Sequence, residues 1–268
     1  MAGKKSILTL ATKADRLEQR IRGNQAAQAV DLAEWIFGRI KIDPGARVLD
    51  LCAGTGAQTR RIAEAAGPAG RVTALDASPE ALGKLRAGLG ENLVSRVTCL
   101  VADMGNLAAA LDGAGLASAR FDLVFCAYGL YYAADAEAVL ETVRRRLAPG
   151  GRIVIVGPFG PNNGALFGLL EDCGVTIAPY VKESSGPFLA ARVLPWGAVN
   201  FQSLAVHTLV NPVRWTTSEA VMAYWKNTTF FDAARAPRVK ARLRRHFLKS
   251  PDFVNEKWIM LAEMSRGR

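Results

Sequence analysis

Histidine is nearly absent from this chain: His207 and His246 are the only two in 268 residues, so a multi-histidine metal site cannot be built. Cysteine is scarce and dispersed. Cys52, Cys99, Cys126 and Cys173 stand singly with no C-x-x-C pair, which argues against a thiolate metal site or a disulfide framework and for single thiols in a reducing compartment. Long apolar runs are also missing. The stretch from Ile7 to Thr12, behind Lys4 and Lys5, is too short for a signal segment or a membrane span, so the expectation is a soluble, cytoplasmic protein without a membrane partner. Acidic residues are few, 24 against 34 Lys and Arg, for a formal net charge of +10. That balance admits nucleic acid, an anionic surface or an acidic small ligand and says nothing about fold.

What the sequence has is an alternation. Leu17, Ile21, Ala29, Leu32, Ile36 and Ile40 recur at helical spacing, which predicts a helix over 12–42, stopped by Asp43-Pro44-Gly45. Strand-like runs follow at 47–51, 72–75, 97–101, 121–126 and 152–156. Helical stretches at 59–66, 79–89, around 107–111 and at 136–147 separate them. Ala148-Pro149-Gly150-Gly151 reads as a turn, and Ile153 to Val156 as a strand buried on both faces. Five strands separated by helices predict an α/β, doubly wound parallel sheet with its ligand beyond the carboxyl ends of the strands. After Gly157 the pattern changes. A helix from 164 to 173, an irregular segment to 197, a strand at 201–210, helices at 218–225 and 239–248 and a last strand at 258–264 are expected to form a cap and to close the same sheet.

The chemistry-bearing segment is Val48 to Thr59, V-L-D-L-C-A-G-T-G-A-Q-T. Gly54 and Gly56 allow a sharp strand-to-helix turn and a close ligand. A dinucleotide turn wants a third glycine where Thr59 stands, and Asp50 just ahead of the turn would repel a pyrophosphate. The same carboxylate suits a ligand with a cationic ammonium group, such as S-adenosylmethionine. Asp76, twenty residues after Gly56, is placed to accept the hydroxyls of an adenosine ribose, and Asp103 with Met104 to meet an adenine. Helix capping is the alternative for each of these carboxylates.

The ordered series D-x-x-x-G-x-G (Asp50 to Gly56), Asp76, A-D-M (Ala102 to Met104), F-D-L-V (Phe121 to Val124) and L-A-P-G-G-R-I-V-I (Leu147 to Ile155) resembles the class I S-adenosylmethionine-dependent methyltransferases, type 11 or 25, over about 46–157. The resemblance implies a Rossmann-like core at 46–157, an N-terminal helical lid at 1–45 and a C-terminal cap at 158–268. It implies Asp50, Ala53, Gly54 and Gly56 at the methionine end of the cofactor and Asp76 with Ala77 at the ribose. Asp103 and Met104 would lie at the adenine and Cys126 beside the sulfonium. The family pattern has glycine where this chain has Cys52. By analogy with family lids, Arg22 and Asn24 would close over the cofactor's carboxylate.

Methyl transfer is an in-line displacement that asks mainly for alignment and exclusion of water, and for a base only when the acceptor is protonated. Tyr128, Tyr131, Tyr132, Asn162 and Asn163 are the acceptor-side residues, with packing of the next helix as the alternative for Tyr131 and Tyr132. His207 is the candidate base, and a merely structural histidine is its alternative. C-A-Y-G at 126–129 does not match the D/N-P-P-Y/F of adenine amino methylation. The sequence therefore points to oxygen or nitrogen methylation of a small metabolite, such as an anionic acceptor, a sugar or a natural product. An RNA methyltransferase and an inactive cofactor-binding subunit are the alternatives. The charge is local: residues 235–268 hold ten basic against three acidic side chains. They form a solvated helix, a site for an anionic acceptor, or an RNA surface.

Overall fold

The computed structural model describes residues 14–266; the apolar run from Ile7 to Thr12 lies outside them. Helix α1 (Ala14–Gln25) and helix α2 (Leu32–Phe37) come first, followed by the alternating core. This runs β1 (Arg47–Leu51), α3 (Ala57–Ala65), β2 (Arg71–Asp76), α4 (Pro79–Ala87), α5 (Glu91–Val94), β3 (Val97–Val101), α6 (Leu107–Gly113), β4 (Phe121–Ala127), α7 (Ala136–Arg145) and β5 (Leu147–Pro158). The rest of the chain is α8 (Gly164–Asp172), α9 (Pro179–Ser185), a π-helical turn (Leu189–Val193), α10 (Leu194–Asn200), β6 (Ser203–Trp215), α11 (Ser218–Lys226), α12 (Ala236–Phe247) and β7 (Phe253–Ser265).

The seven strands form one sheet in the order β3-β2-β1-β4-β5-β7-β6. The pairs β1–β2, β1–β4, β2–β3 and β4–β5 are parallel, so the chain reverses its direction of travel across the sheet after β3 and returns to place β4 beside β1. That switch is where an open α/β sheet leaves a crevice for a ligand. Val48, Leu49, Val124, Phe125, Ile153 and Val154 are fully buried, which is why these strands read as continuous apolar runs.

Three expectations are corrected. The helix expected over 12–42 is two helices, because the backbone between them leaves the helical ladder to pair with β6. The Ala29 N–H donates to the Pro212 carbonyl, the Arg214 N–H to the Ala27 carbonyl, and the Asn211 side chain holds Val30 at both its N–H and its carbonyl. The turn expected at 148–151 lies within β5, where the register against β4 slips between Phe121 and Leu123. The segment to 197 is helical from Pro179 onward apart from a break at 186–188. Pro179 and Pro195 fall in the first turns of α9 and α10, where a missing N–H costs nothing.

The chain divides into two compact units. One comprises residues 36–157, 189–207 and 260–268; the other comprises 1–35, 158–188 and 208–259. The second has its own core, in which Phe167, Trp215, Val221, Trp225, Leu243 and Phe253 are buried.

Candidate active site

All the core candidates for cofactor binding lie in the first unit. Leu51 ends β1, and the chain then takes left-handed backbone at Cys52 (φ 64°), Gly54 (φ 55°) and Gly56 (φ 83°) before α3 begins. A Cβ on Gly56 would sit 2.0 Å from Leu85 Cδ1 in α4, so only glycine lets the turn pack this tightly. The Gly54 N–H donates to Asp76 Oδ2 at 2.8 Å, and the Ser78 N–H donates to Asp76 Oδ1 at 2.8 Å. Asp76 thus ties the turn after β1 to the end of β2 while staying half-buried, and each of its oxygens retains a lone pair for a further donor.

Asp50 is 2% exposed. Its Oδ2 accepts the Thr59 hydroxyl at 2.6 Å. Burial pushes its carboxyl up to about 7, the Thr59 hydroxyl opposes that shift, and the charge of Asp76 adds to it. Among the described residues Asp50 has Thr59 and Asp76 as its neighbours and no ion pair. A buried carboxylate in this state is an acceptor for a cationic ligand. Thr59 is the residue that the sequence alone does not single out: in the motif it is only a non-glycine, yet in the first turn of α3 it is buried with its hydroxyl on Asp50.

Asp103 is exposed and caps the 3₁₀ turn 104–106 by accepting the Gly105 N–H at 2.8 Å, so the capping alternative holds for one of its oxygens. Met104 and Ala53 are buried and Ala77 is exposed. Cys126, beneath the turn, is fully buried. It hydrogen-bonds the Cys52 thiol, and that contact together with burial keeps the Cys52 thiol well above its ordinary pKa. Among the described residues no cysteine forms a disulfide.

On the acceptor side, Tyr128 follows β4 with left-handed backbone (φ 56°), its N–H bound to the Val156 carbonyl. Such a conformation in a non-glycine residue costs on the order of 1–3 kcal/mol and persists only where the surroundings enforce it. Tyr131 and Tyr132 are half-buried, with ring centroids 4.6 Å apart. The structure does not bring His207 to this group. It is exposed on β6, the outermost strand, with β5 and β7 between it and β4.

The remaining candidates lie in the second unit. Arg22 is exposed at the end of α1, and Asn24 Oδ1 is buried with no hydrogen-bond partner. The acceptor candidates Asn162 and Asn163 engage their side-chain oxygens within the fold. Asn162 Oδ1 accepts the Trp258 N–H at 3.1 Å, and Asn163 Oδ1 accepts both Asn255 Nδ2 at 3.0 Å and Lys257 Nζ at 2.5 Å. Among the described residues no group of His, Cys, Asp or Glu could hold a metal ion, and no helix is long and apolar enough to cross a membrane.

Residues 48–151 match the family model described as a methyltransferase domain. The chain is 38% identical over 112 residues to the demethylmenaquinone methyltransferase of Lactococcus lactis, covering 42% of each protein. It is 28% identical over 173 residues to the ubiquinone/menaquinone biosynthesis C-methyltransferase UbiE of Ectopseudomonas mendocina, covering 64% of this chain and 61% of the relative. The chain thus spans about half the length of the curated relatives it matches. In fold it is similar to the YcgJ protein of Bacillus subtilis (TM-score 0.59, 16% identity, 88% of this chain and 98% of that one). It is also similar to an S-adenosylmethionine-dependent methyltransferase of Thiobacillus denitrificans in complex with S-adenosylhomocysteine (TM-score 0.52, 17% identity, 87% and 90%). The class I methyltransferase fold implied by the motif series is the fold of the core.

Proposed function

We propose that this chain is a methyltransferase that takes its methyl group from S-adenosylmethionine and delivers it to a small molecule. The observation that carries the reading is the Asp50–Gly54–Asp76 arrangement. A buried carboxylate raised to about 7 stands behind a glycine turn, and that turn is bound by its Gly54 N–H to a second carboxylate still able to accept hydrogen bonds. A pyrophosphate does not fit beside these carboxylates; a ligand with an ammonium, a sulfonium and a ribose diol does. The cofactor supplies an activated methyl on a sulfonium sulfur. Asp50 and the turn at 53–56 orient its methionine end, Asp76 and Ala77 its ribose, and Asp103 and Met104 its adenine. Cys126 acts beneath the turn by packing on Cys52. Arg22 and Asn24, which the resemblance offers for the cofactor's carboxylate, belong to the second unit, and the unpartnered Asn24 Oδ1 calls for a donor, which a carboxylate does not supply.

Tyr128 and Tyr131 shape the acceptor side, holding an acceptor atom in line and keeping water out. His207, exposed on the outer strand, is at most a base for a protonated acceptor. The acceptor atom is oxygen or nitrogen in the reading taken from the sequence. The UbiE relative is a C-methyltransferase, which favours carbon as a second reading.

The test is binding of S-adenosylmethionine by calorimetry, followed by incubation with methyl-labelled cofactor and separate pools of metabolites, quinone precursors and RNA. Asp76→Ala is expected to weaken cofactor binding at least tenfold, as loss of a charge-assisted pair of hydrogen bonds requires. Native affinity in that variant would overturn the assignment. The bond formed in the labelled product, to carbon, oxygen or nitrogen, separates the two acceptor readings.

A further inference from the structure

The basic segment is not evenly basic around its helix. In α12 the residues Arg238, Arg242, Arg245 and, one turn beyond the helix, Lys249 follow one another at spacings of four, three and four, so they share one face. Lys240 and Arg244 lie on another face. They help hold the Glu219 carboxyl below its ordinary value, after the Ser218 hydroxyl and the Glu219 backbone, so their charge is answered. On the first face Arg238 donates to the Asp172 carbonyl. Arg242, Arg245 and Lys249, by contrast, surround an open cleft of about 450 Å³ together with His246 and Ser250, and among the described residues none of the three has a carboxylate partner.

The dipole of a helix favours cations in its last turn, which accounts for some of this charge. It does not account for three cations converging on one concavity, where their mutual repulsion opposes the packing. The rim is fixed as well. The Asp252 carbonyl accepts hydrogen bonds from His246 Nε2 at 2.7 Å and from Ser250 Oγ at 2.9 Å. Since a carbonyl can only accept, His246 carries a proton on Nε2, and its ring is further held against Phe247 and Phe253. Two guanidinium groups and an ammonium make a donor set that matches the oxygens of a phosphate in charge, while the imidazole and the hydroxyl, whose protons go to the Asp252 carbonyl, hold the rim in shape.

We propose that this cleft of the second unit, lined by Arg242, Arg245, His246, Lys249 and Ser250, binds the phosphate group of a soluble phosphorylated small molecule. The proposal stands independently of the methyltransferase reading.

The test is calorimetric titration of the full chain with inorganic pyrophosphate at near-neutral pH and constant ionic strength. Saturable binding at one site is expected. It should be weakened at least about tenfold in Arg242→Gln/Arg245→Gln and unchanged within about twofold in Lys240→Gln/Arg244→Gln, which removes the same charge from the other face. Absence of saturable binding, or equal weakening in both double variants, would overturn the site. If circular dichroism shows the first double variant unfolded, the exposed Lys249→Gln replaces it: about threefold weaker binding supports the site and native binding overturns it. Vesicles of phosphatidylglycerol distinguish the source. Binding to them that pyrophosphate does not displace would overturn a soluble ligand in favour of a lipid surface.

Discussion

At the scale of single residues, the cradle is held by groups that are costly outside it. Asp50 has a folded pKa of about 7 against 3.8 when exposed in the unfolded chain. Between those values the unfolded chain has released a proton that the folded chain keeps. The contribution of Asp50 to the stability of the cofactor-free protein therefore falls as pH rises from about 4 to 7, by up to about 4 kcal/mol, and is level above that. Asp50→Asn is expected to flatten this dependence in urea unfolding, to stabilise the cofactor-free protein near pH 7, and to weaken cofactor binding. The opposite slope would contradict the burial argument. Cys52 and Gly56 show the same economy in the backbone. Cys52 stands where the resembling family has glycine and adopts a φ of 64°. Cys52→Gly should therefore unfold within about 1 kcal/mol of the parent, relief of strain offsetting the lost side chain. Gly56→Ala, which drives a methyl group into Leu85, should lose about 2 kcal/mol or more. Equal melting points for the two variants would refute the contrast.

At the scale of elements, β1, β2 and β4 were legible because parallel strands buried on both faces leave unbroken apolar runs, β3 because its residues favour a strand even at the sheet's half-exposed edge, and the turn because Gly54 and Gly56 mark the switch to α3. The carboxylates at the strand ends were legible for the same reason: little but a ligand or a cap explains Asp50, Asp76 and Asp103 there. Other elements depended on partners distant in sequence. Nothing between Gly23 and Asp31 signals that Ala27 and Ala29 will pair with β6, since the deciding groups belong to Asn211, Pro212 and Arg214. Thr59 likewise became meaningful only once the fold set it against Asp50. In β5, Pro149-Gly150-Gly151 satisfies every local rule for a turn, yet the strand continues through it. A Cβ on Gly151 would lie 2.8 Å from both the Ala148 and the Phe121 carbonyl oxygens, so the irregular pairing with β4 requires glycine there. Gly151→Ala is expected to cost about 3 kcal/mol in equilibrium unfolding. A neutral result would show that the strand has room to shift.

At the scale of the whole molecule, the charge is local rather than divided between the units. Several of the cofactor candidates in the core are acidic, whereas α12 and the two residues that follow it, 236–249, contain six Lys and Arg and no acidic side chain. Net charge alone, read from composition, would have directed attention to anions everywhere. Cofactor binding should stabilise by mass action, about 2.7 kcal/mol at a hundredfold excess over Kd. Hydrogen exchange in the presence of S-adenosylhomocysteine should show new protection at 50–56, 76–78 and 103–105. Protection spread evenly over 236–249 instead would contradict the placement of the cofactor in the first unit.

The pairing of residues 27–30 with β6 has one more consequence. An outermost strand offers a row of unpaired backbone groups on which another polypeptide can polymerise. Here the chain closes its own border: the stretch 27–30 occupies the groups from Asn211 to Arg214. Pro212, lacking an N–H, gives an intruding strand nothing to accept from. Among the described residues the open part shrinks to 203–210, so the segment that interrupts the two N-terminal helices acts as a selvedge, finishing the sheet where it would otherwise fray into aggregates.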